Sequence, residues 1–407
     1  MYRLTNLARV AALGAVVTTV ACQSENLAIA PTAKTDIFQS YIAIGNSITA
    51  GFQSNGINDS TQRQSYARLL ANSMGTQYHY ASIAGRGCTP PIANGLTGAL
   101  FGTGSTAATC DARALSSVTD VLNNVAVPGA RVLDPTSAST VASNALTTFI
   151  LGGKTQVQKA LDAKPTFATI WIGNNDVLSA GITGLLNPTP GLSPGIVSTQ
   201  AQFQASYDLM LKQLLDSMPN LKGVLIGVVQ VSGIPRISSG DTLSKSAAAK
   251  AFINAATGKT VTIDPNCTGS SAFVDIPDLI VAIKGGAHPP LISCVAGVYP
   301  APIGDLFILD PAEQVTLKNA IDGYNNYIAA KAAAIGFAYF DPNPLLAANR
   351  ATNAIPRLPN FTGANATTTT FGTLISLDGV HPAAGAHVLI AQGLIAVINA
   401  KYGTSLQ

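Results

Sequence analysis

Short apolar segments rich in β-branched residues alternate along the chain with longer segments whose apolar residues recur at helical spacing. The short segments, predicted to be strands, are YIAIG, FATIWIG, GVLIGVVQV and FAYFD. The longer segments, predicted to be helices, are SYARLLANSMG, TQAQFQASYDLMLKQLLDSM and PAEQVTLKNAIDGYNNYIAAKAAAIG. Because strands and helices alternate, the pattern predicts an α/β fold whose parallel sheet is covered by helices on both faces.

Two long stretches interrupt this alternation, near residues 85–110 and 235–302. Both are rich in small residues and prolines, and each holds two cysteines. Loops of this length in a compact domain are usually functional or disordered. Because cysteines favour ordered, stapled segments, we expect two insertions that wall the functional site of a single main domain spanning residues 39–407.

The first 22 residues have the pattern of an export signal. Arginines precede a short apolar run and then small residues, and the run is too short to span a membrane. The run ends at Cys22 in a sequence that resembles the lipobox of bacterial lipoproteins, although Thr19 stands where Leu is usual. The pattern predicts a protein anchored by lipid in the bacterial cell envelope, with simple secretion as the alternative. Residues 23–38 are then a tether.

Four cysteines remain if Cys22 is lipidated. An even number in an exported protein indicates disulfides, and four cysteines allow three connectivities. Proximity along the chain favours the pairs Cys88–Cys110 and Cys267–Cys294. No clustered spacing of Cys and His suggests a metal site, so neither a metal nor an organic cofactor is expected.

The amino-acid composition bears on which molecules the protein binds. The chain has 407 residues, 47% hydrophobic and 11% charged, with a formal net charge of +3. No basic stripe or run of like charges is present, so nucleic acid is not an expected partner. The apolar content is ample for a large core, and extensive disorder is not expected.

Three short segments carry a candidate nucleophile, a base with its orienting group, and an oxyanion donor. YIAIGNSITAG places Ser47 directly after a predicted strand, and LDGVHPAAGAH places Asp378 three residues before His381. A serine hydroxyl needs a base to take its proton, and the base needs a third group to fix its tautomer. IWIGNNDV supplies Asn175 as a donor to a developing oxyanion. His381 precedes Pro382, so it is expected at the N-cap of the last helix.

These segments resemble the sequence blocks of the GDSL lipases and esterases, the SGNH hydrolase family. Gly45-Asn46-Ser47-Ile48 corresponds to the first block, with Asn where the family name has Asp. Gly-x-Asn-Asp corresponds to residues 173–176, and Asp-x-x-His to residues 378–381. The matched blocks and their strands run from about Tyr41 to the C-terminal helix. The resemblance implies a three-layer, flavodoxin-like α/β/α fold with insertions.

The resemblance also implies a set of oxyanion donors. These are the backbone N–H groups of Ser47 and a glycine, together with the side-chain amide of Asn175. Gly129, in NNVAVPGARV, fits the glycine block best, and Gly85 is its rival. Asn174 is the rival for the amide, but the spacing of the block favours Asn175.

The predicted function is hydrolysis of a small-molecule or lipid carboxylic ester through an acyl-enzyme. Ser47 is the nucleophile, His381 the base and Asp378 its orienting group. The alternatives are a carbohydrate deacetylase of the same fold and an inactive hydrolase scaffold that binds a partner at the surface. A second serine motif, G-x-S-x-G at residues 191–195, has no strand before it and has proline after Ser193, so it is not an expected nucleophile.

Overall fold

The structure is a computed structural model that describes residues 32–95, 98–102, 113, 121–137, 145–295, 297–299, 304, 306–360 and 362–407. The predicted export signal, Cys22, most of the predicted tether and Cys110 lie outside these ranges. Residues 33–38 pack against the fold, with the Phe38 ring buried 5.1 Å from that of Phe167. The ordered fold therefore begins before residue 39, and the expected division into signal, tether and hydrolase domain stays a prediction.

The strands include all four that the apolar segments predict. They are β1 Tyr41–Gly45, β2 Phe167–Trp171, β3 Lys222–Ile226, β4 Ile237–Ser239, β5 Thr262–Ile263, β6 Phe273–Asp275, β7 Leu291–Ile292, β8 Ile308–Leu309 and β9 Ala338–Phe340. Strand β3 ends earlier than GVLIGVVQV predicts. The N–H groups of Val228 and Val229 donate to the side-chain oxygens of Asn325 and Asn174. These two valines therefore lie outside the hydrogen-bonded strand.

The helices fall between the strands as expected. They are α1 Ser47–Ala50, α2 Asp59–Arg63, α3 Tyr66–Met74, α4 Ala145–Leu151, α5 Gln156–Leu161, α6 Leu178–Thr183, α7 Gln200–Ser217, α8 Gly240–Ser244, α9 Ala247–Thr257, α10 Ile276–Gly285, α11 Pro311–Ile335, α12 Asn343–Ala351 and α13 Ala384–Tyr402. The Asp310 side chain accepts from the N–H of Glu313 and starts α11 with a capping box, and Gly336 in the left-handed region ends that helix.

The main sheet is parallel and has helices on both faces. Its strand order is β1-β2-β3-β9. Side chains alternate across β1, so Ile42 and Ile44 join the buried cluster that includes α5, α7 and α11, whereas Tyr41 and Ala43 join the one that includes α3 and α13. This is the expected three-layer α/β/α arrangement, and it brings the carboxyl ends of the strands to one edge.

The second insertion has a small core of its own. Within it β4, β6 and the following β8 form an antiparallel sheet, and β5 pairs with β7. The predicted disulfide Cys267–Cys294 is present, and both cysteines are buried in a hydrophobic cluster of α8, α9, α10 and these strands. Cys88 is buried and disulfide-bonded, but its predicted partner Cys110 lies outside the described residues, so that pairing stays a prediction.

Among the described helices, α13 is long and apolar enough to cross a membrane by length and composition. It packs against α3 and β9, and Ile390, Leu394 and Ile398 are buried in the core. Its apolar character is therefore accounted for by its place as a covering helix of the sheet.

Candidate active site

Ser47 lies on a tight turn at the end of β1. Strand β1 ends at Gly45, where a Cβ atom would meet the Thr49 hydroxyl at 2.3 Å, so only glycine permits this close turn. The Asn46 side chain accepts a hydrogen bond from the N–H of Ile48 at 3.2 Å and caps the single turn α1. The result is a largely buried serine whose hydroxyl lies at the carboxyl edge of the sheet.

The structure brings Ser47, His381 and Asp378 into one hydrogen-bonded chain. His381 Nε2 lies 2.9 Å from Ser47 Oγ, and His381 Nδ1 lies 2.8 Å from Asp378 Oδ2. The ring of Phe52 packs against the imidazole with 5.0 Å between centroids. The two segments are separated by more than 330 positions in the sequence, yet they meet with the geometry needed to pass a proton from the hydroxyl to the imidazole.

The expected N-cap role of His381 is wrong. Helix α13 begins at Ala384 and its N-cap is Ala383. Residues 376–382 instead form a turn, in which Ser376 N–H donates to the His381 carbonyl at 2.8 Å and Pro382 pairs with Ile375. The histidine is thus set in the turn before the helix, with its ring directed to Ser47.

Hydrogen bonds fix the Asp378 carboxylate on both oxygens. Oδ1 accepts from the N–H groups of Val380 and His381 at 2.8 and 2.9 Å and from the Ser376 hydroxyl at 3.1 Å. Oδ2 also accepts from the N–H of Asn55 at 2.7 Å. Burial alone would raise the pKa of Asp378, but the neighbouring His381 and these hydrogen bonds hold it well below its usual range. The carboxylate is therefore ionised and rigidly oriented at neutral pH.

The turn at residues 53–56 is a supporting element that the sequence analysis missed. Ser54 donates its N–H to the Ser376 hydroxyl at 2.8 Å and accepts the N–H of Leu377 at 3.1 Å. Ser54 and Asn55 have φ near 50°, a conformation that asparagine tolerates. The Asn-Gly pair at residues 55–56 is a turn signal, but nothing in the sequence links that turn to the carboxylate.

Asn175 lies beside the segment that holds Gly129. Its amide Nδ2 donates to the Ala130 carbonyl at 2.9 Å, and the same segment contacts the end of β1 through the Val127 N–H, 3.2 Å from the Gly45 carbonyl. Gly129 has a φ of 83°. This geometry brings the Gly129 segment between β1 and Asn175.

The Gly85 segment makes different contacts. The neighbouring Ile83 carbonyl accepts the N–H of Asp59 at 2.9 Å, and the Arg86 carbonyl accepts from the Asn58 amide at 3.3 Å. A Cβ atom at Gly85 would meet nothing within 4 Å. These contacts are with the start of α2, so the comparison of the two segments favours Gly129 as the glycine beside Asn175.

Asp176 is a second residue whose part the sequence analysis missed. Its buried carboxylate accepts from the N–H of Val132 at 2.9 Å and from the Ser198 hydroxyl at 2.5 Å. Burial raises the pKa of Asp176 to about 6, against the effect of these two donors. Through Val132 this carboxyl anchors the segment that carries Gly129. Asp176 is the last residue of the Gly-x-Asn-Asp block, and the block alone does not indicate that contact.

Buried donors remain unpartnered near the serine. Among the described residues, the side-chain N–H groups of Asn46, Trp171 and Asn174 have no hydrogen-bond partner. Asn174 Oδ1 accepts the N–H of Val229 at 2.9 Å, and its amide nitrogen is buried. All three residues line the same cleft as Ser47, although these nitrogen atoms themselves are not exposed to it.

Two clefts open at this edge. The serine cleft encloses roughly 920 Å³, including space open to solvent, and contains Asn46, Ser47, Asn174, Asn175 and His381. Its remaining wall is almost wholly apolar: Ile48, Leu178, Val229, Val231, Ile234, Leu345, Leu346, Ile355, Leu374, Ile375, Val380, Leu389 and Ile390. An apolar cleft with a few convergent polar groups is the usual form of a small-molecule site.

The insertion cleft shares Leu178, Val380 and His381 with the serine cleft. It encloses roughly 1320 Å³, also open to solvent. Its wall includes Leu178, Ile182, Phe252, Ile280, Val281, Phe371, Leu377, Val380, Asp378, Arg236 and His381. Because Phe252, Ile280 and Val281 belong to α9 and α10, the second insertion contributes wall to a cleft that also contains His381.

No group of three or more His, Cys, Asp or Glu suited to hold a metal ion is found in the described ranges. The other histidines make local contacts: His387 Nδ1 accepts the Tyr66 N–H at 3.2 Å, and His288 Nδ1 lies 2.8 Å from the Pro289 carbonyl. Burial lowers the pKa of His387 to about 3, which keeps it neutral. Both histidines therefore have structural contacts outside the chain of Ser47 and His381.

Solved structures with a similar fold include an extracellular lipase from Streptomyces rimosus, at 16% identity and a TM-score of 0.33, covering 89% of this chain and 99% of that one. A catalytic mutant of an acetylxylan esterase from Geobacillus stearothermophilus has 10% identity and a TM-score of 0.39, covering 90% of this chain and 95% of that one. These scores are too low to carry an argument, and no curated protein matches the chain in sequence.

The family assignment rests on sequence. Residues 41–394 match the family described as GDSL-like Lipase/Acylhydrolase. The match spans most of the chain and includes Ser47, Asn175, Asp378 and His381. The protein therefore belongs to the GDSL-like lipase/acylhydrolase family and is a carboxylic ester hydrolase.

Proposed function

We propose that the chain hydrolyses carboxylic esters through an acyl-enzyme on Ser47. The observation that carries the proposal is the hydrogen-bonded chain from Ser47 Oγ through His381 to Asp378, with separations of 2.9 and 2.8 Å. In the first step Ser47 Oγ bonds to the acyl carbon while His381 Nε2 takes the hydroxyl proton. The same nitrogen then gives that proton to the departing alcohol oxygen, and water repeats the sequence to release the acid.

Asp378 has an orienting role in this proposal. Its depressed pKa keeps the carboxylate charged, so it stabilises the imidazolium that forms on His381 and fixes Nδ1 as a donor. The hydrogen bonds from Asn55 and Ser376 prevent the carboxylate from turning away. An inactive binding scaffold would have no need for this arrangement, which favours an enzyme.

We further propose that the oxyanion accepts from the backbone N–H groups of Ser47 and Gly129 and from the Asn175 amide. One N–H of that amide is held by the Ala130 carbonyl at 2.9 Å, which directs the second N–H. Donors fixed before the reaction stabilise developing charge without reorganisation. The unpartnered Asn174 amide is the alternative donor.

A serine-directed fluorophosphonate probe tests the function. The wild-type protein should be labelled once and should hydrolyse a short ester, and Ser47→Ala should lose both properties while keeping its thermal transition. Loss of a nucleophilic serine lowers kcat by roughly 10⁶-fold in a serine hydrolase. Ser193→Ala is the matched control because that serine lies in G-x-S-x-G, and it should be labelled normally. Labelling that persists in Ser47→Ala would refute the assignment.

Export and lipid anchoring are proposed as well. The apolar run that ends at Cys22 supports acylation of that cysteine in the cell envelope, and the Cys267–Cys294 disulfide is compatible with an oxidising compartment. Cys22→Ser should release the protein from the membrane fraction or block processing. Mass spectrometry that finds an unmodified mature N-terminus elsewhere would reject the anchor and favour secretion.

A further inference from the structure

The chain that follows β3 is held by side chains rather than by a neighbouring strand. Gly227 still bonds to β9, from its N–H to the Phe340 carbonyl at 2.9 Å. The next three N–H groups each donate to the side-chain oxygen of a different asparagine: Val228 to Asn325 at 2.6 Å, Val229 to Asn174 at 2.9 Å and Gln230 to Asn343 at 2.7 Å. These three asparagines form an asparagine clamp on residues 228–230.

Two members of the asparagine clamp also share an acceptor. The Nδ2 atoms of Asn325 and Asn343 donate to the Val228 carbonyl at 2.9 and 3.0 Å. Val228 is buried, and buried backbone groups need partners because desolvation without a hydrogen bond is costly. The clamp supplies those partners, so residues 228–230 are fixed outside the strand. Because Asn325 and Asn343 bond to the same residue, they should act as a unit.

The asparagine clamp draws on three separate elements. Asn174 lies in the turn after β2, next to Asn175 in the chain. Asn325 belongs to α11, and Asn343 is the first residue of α12, a helix that contributes two leucines to the wall of the serine cleft. The clamp therefore ties the chain after β3 to the segment that carries the proposed oxyanion donor and to a helix of the cleft wall.

The clamped segment is part of the wall of the serine cleft. Val229 lines that cleft, whereas Asn325 and Asn343 do not. Ser47 follows β1, and Val229 follows β3, two strands away in the main sheet. Neighbouring strands lie about 4.8 Å apart, so the ends of β1 and β3 are separated by roughly 10 Å. An ester with only a methyl group on each side stays near Ser47, whereas a longer group can reach Val229.

We propose that the asparagine clamp positions Val229 for substrate selection, so that Asn325 and Asn343 determine which esters fit without touching the substrate. This inference rests on the proposed function of Ser47 and His381, and it gives a specificity role to residues outside the cleft. Loss of a clamp bond leaves a buried group of Val228 unpaired, so the segment gains by moving to another partner. A displaced Val229 loses contact with a long substrate group, while Ser47 stays in place.

Ester kinetics of clamp variants test the proposal. Acid release from methyl acetate, methyl hexanoate and hexyl acetate is followed for wild type, Asn325→Ala, Asn343→Ala and the double variant. The ratio of kcat/KM for at least one long ester to that for methyl acetate should fall about 10-fold in each single variant, since apolar contacts in a pocket discriminate by this factor or more. The value for methyl acetate should change little. The double variant should lose less than the product of the single losses, because both side chains hold Val228.

Asn326→Ala is the matched control, because Asn326 is the exposed neighbour of Asn325 on α11 and lines neither cleft. It should behave as wild type. Val229→Ala shortens the wall directly and keeps the backbone groups that the clamp holds. It should lower the same ratio, and it tests the proposal even where a clamp variant fails to fold.

The outcomes are distinguishable. Wild-type ratios in folded Asn325→Ala and Asn343→Ala, or in Val229→Ala, would overturn the proposal. An equal loss for all three esters would also overturn it, because the clamp would then support the fold or the reaction and not the selection of substrate. Fluorophosphonate labelling separates the two levels: labelled wild type with unchanged ratios in the variants refutes only this inference, whereas unlabelled wild type refutes the proposed function.

Discussion

The main sheet and the second insertion contribute to the same site in different ways. The main sheet supplies Ser47 and Asn175 at the ends of β1 and β2, where parallel strands deliver side chains to a common edge. The insertion supplies apolar wall from α9 and α10 and has its own core and disulfide. The residues proposed for the reaction and the apolar wall from α9 and α10 therefore come from parts of the molecule with different hydrophobic clusters.

Arg236, at the start of the second insertion, links the insertion to the turn that holds Asp378. Its guanidinium bonds to Asp275 and Asp278 of the insertion, and its Nη1 lies 3.4 Å from the Asp378 carbonyl. Its own N–H donates to the Gly379 carbonyl at 3.1 Å. Burial disfavours the charge, but the two carboxylates keep the pKa of Arg236 above its ordinary value. The insertion is thereby tied to the turn that holds the orienting carboxylate.

Among the substitutions considered, replacement of Arg236 should lower the free energy of unfolding the most. Arg236→Met leaves the fully buried Asp275 carboxylate without its cation, and removal of one partner of a buried pair costs about 3–5 kcal/mol. We expect the free energy of unfolding to fall by that amount in a urea titration. Lys245→Met removes a solvent-exposed pair with Asp241 in the same insertion and should stay close to wild type. Equal stability of both variants would show that the buried pair does not hold the insertion.

Features set by local sequence patterns could be predicted, whereas contacts between residues far apart in the chain could not. The strands β1, β2, β3 and β9, and the helices α3, α7 and α11, follow from apolar spacing and end signals such as Gly75 and Gly336. Arg236 could not be identified, because its partners lie 39 and 142 positions away and no local pattern marks such contacts. Ser47, His381 and Asp378 lie within hydrogen-bonding distance of one another, but the residues that hold Asp378 in place depend on tertiary packing.

Asn175 tests what the main sheet contributes to the rate of ester hydrolysis. Asn175→Ala should lower kcat by roughly 10²- to 10³-fold, because it removes a preorganised donor to the oxyanion. Its effect on KM should be small, since the donor acts mainly on the transition state. Steady-state kinetics on a short ester measure both constants, and thermal unfolding reports any loss of the bond to Ala130.

Asn174→Ala tests whether the neighbouring amide is the oxyanion donor instead. Asn174 is adjacent in the chain and lines the same cleft, and its amide nitrogen has no partner among the described residues. If Asn175 is the oxyanion donor, Asn174→Ala should lose far less kcat. A larger loss in Asn174→Ala than in Asn175→Ala would transfer the role to Asn174.

The Cys267–Cys294 disulfide tests the insertion alone. The double variant Cys267→Ala/Cys294→Ala opens a loop of 27 residues, for which the chain-entropy model gives about 3–4 kcal/mol of lost stability. Because the cysteines lie in the hydrophobic cluster that supports α9 and α10, which line the insertion cleft, we also expect the ratio of the rates on hexyl acetate and methyl acetate to change. The rate on methyl acetate should change less, since Ser47 and His381 are held by other segments. Denaturant unfolding and the two ester rates measure these quantities. If stability falls while the ester ratio stays constant, the disulfide supports the fold without shaping the insertion cleft, and the two parts of the molecule are more independent than Arg236 indicates.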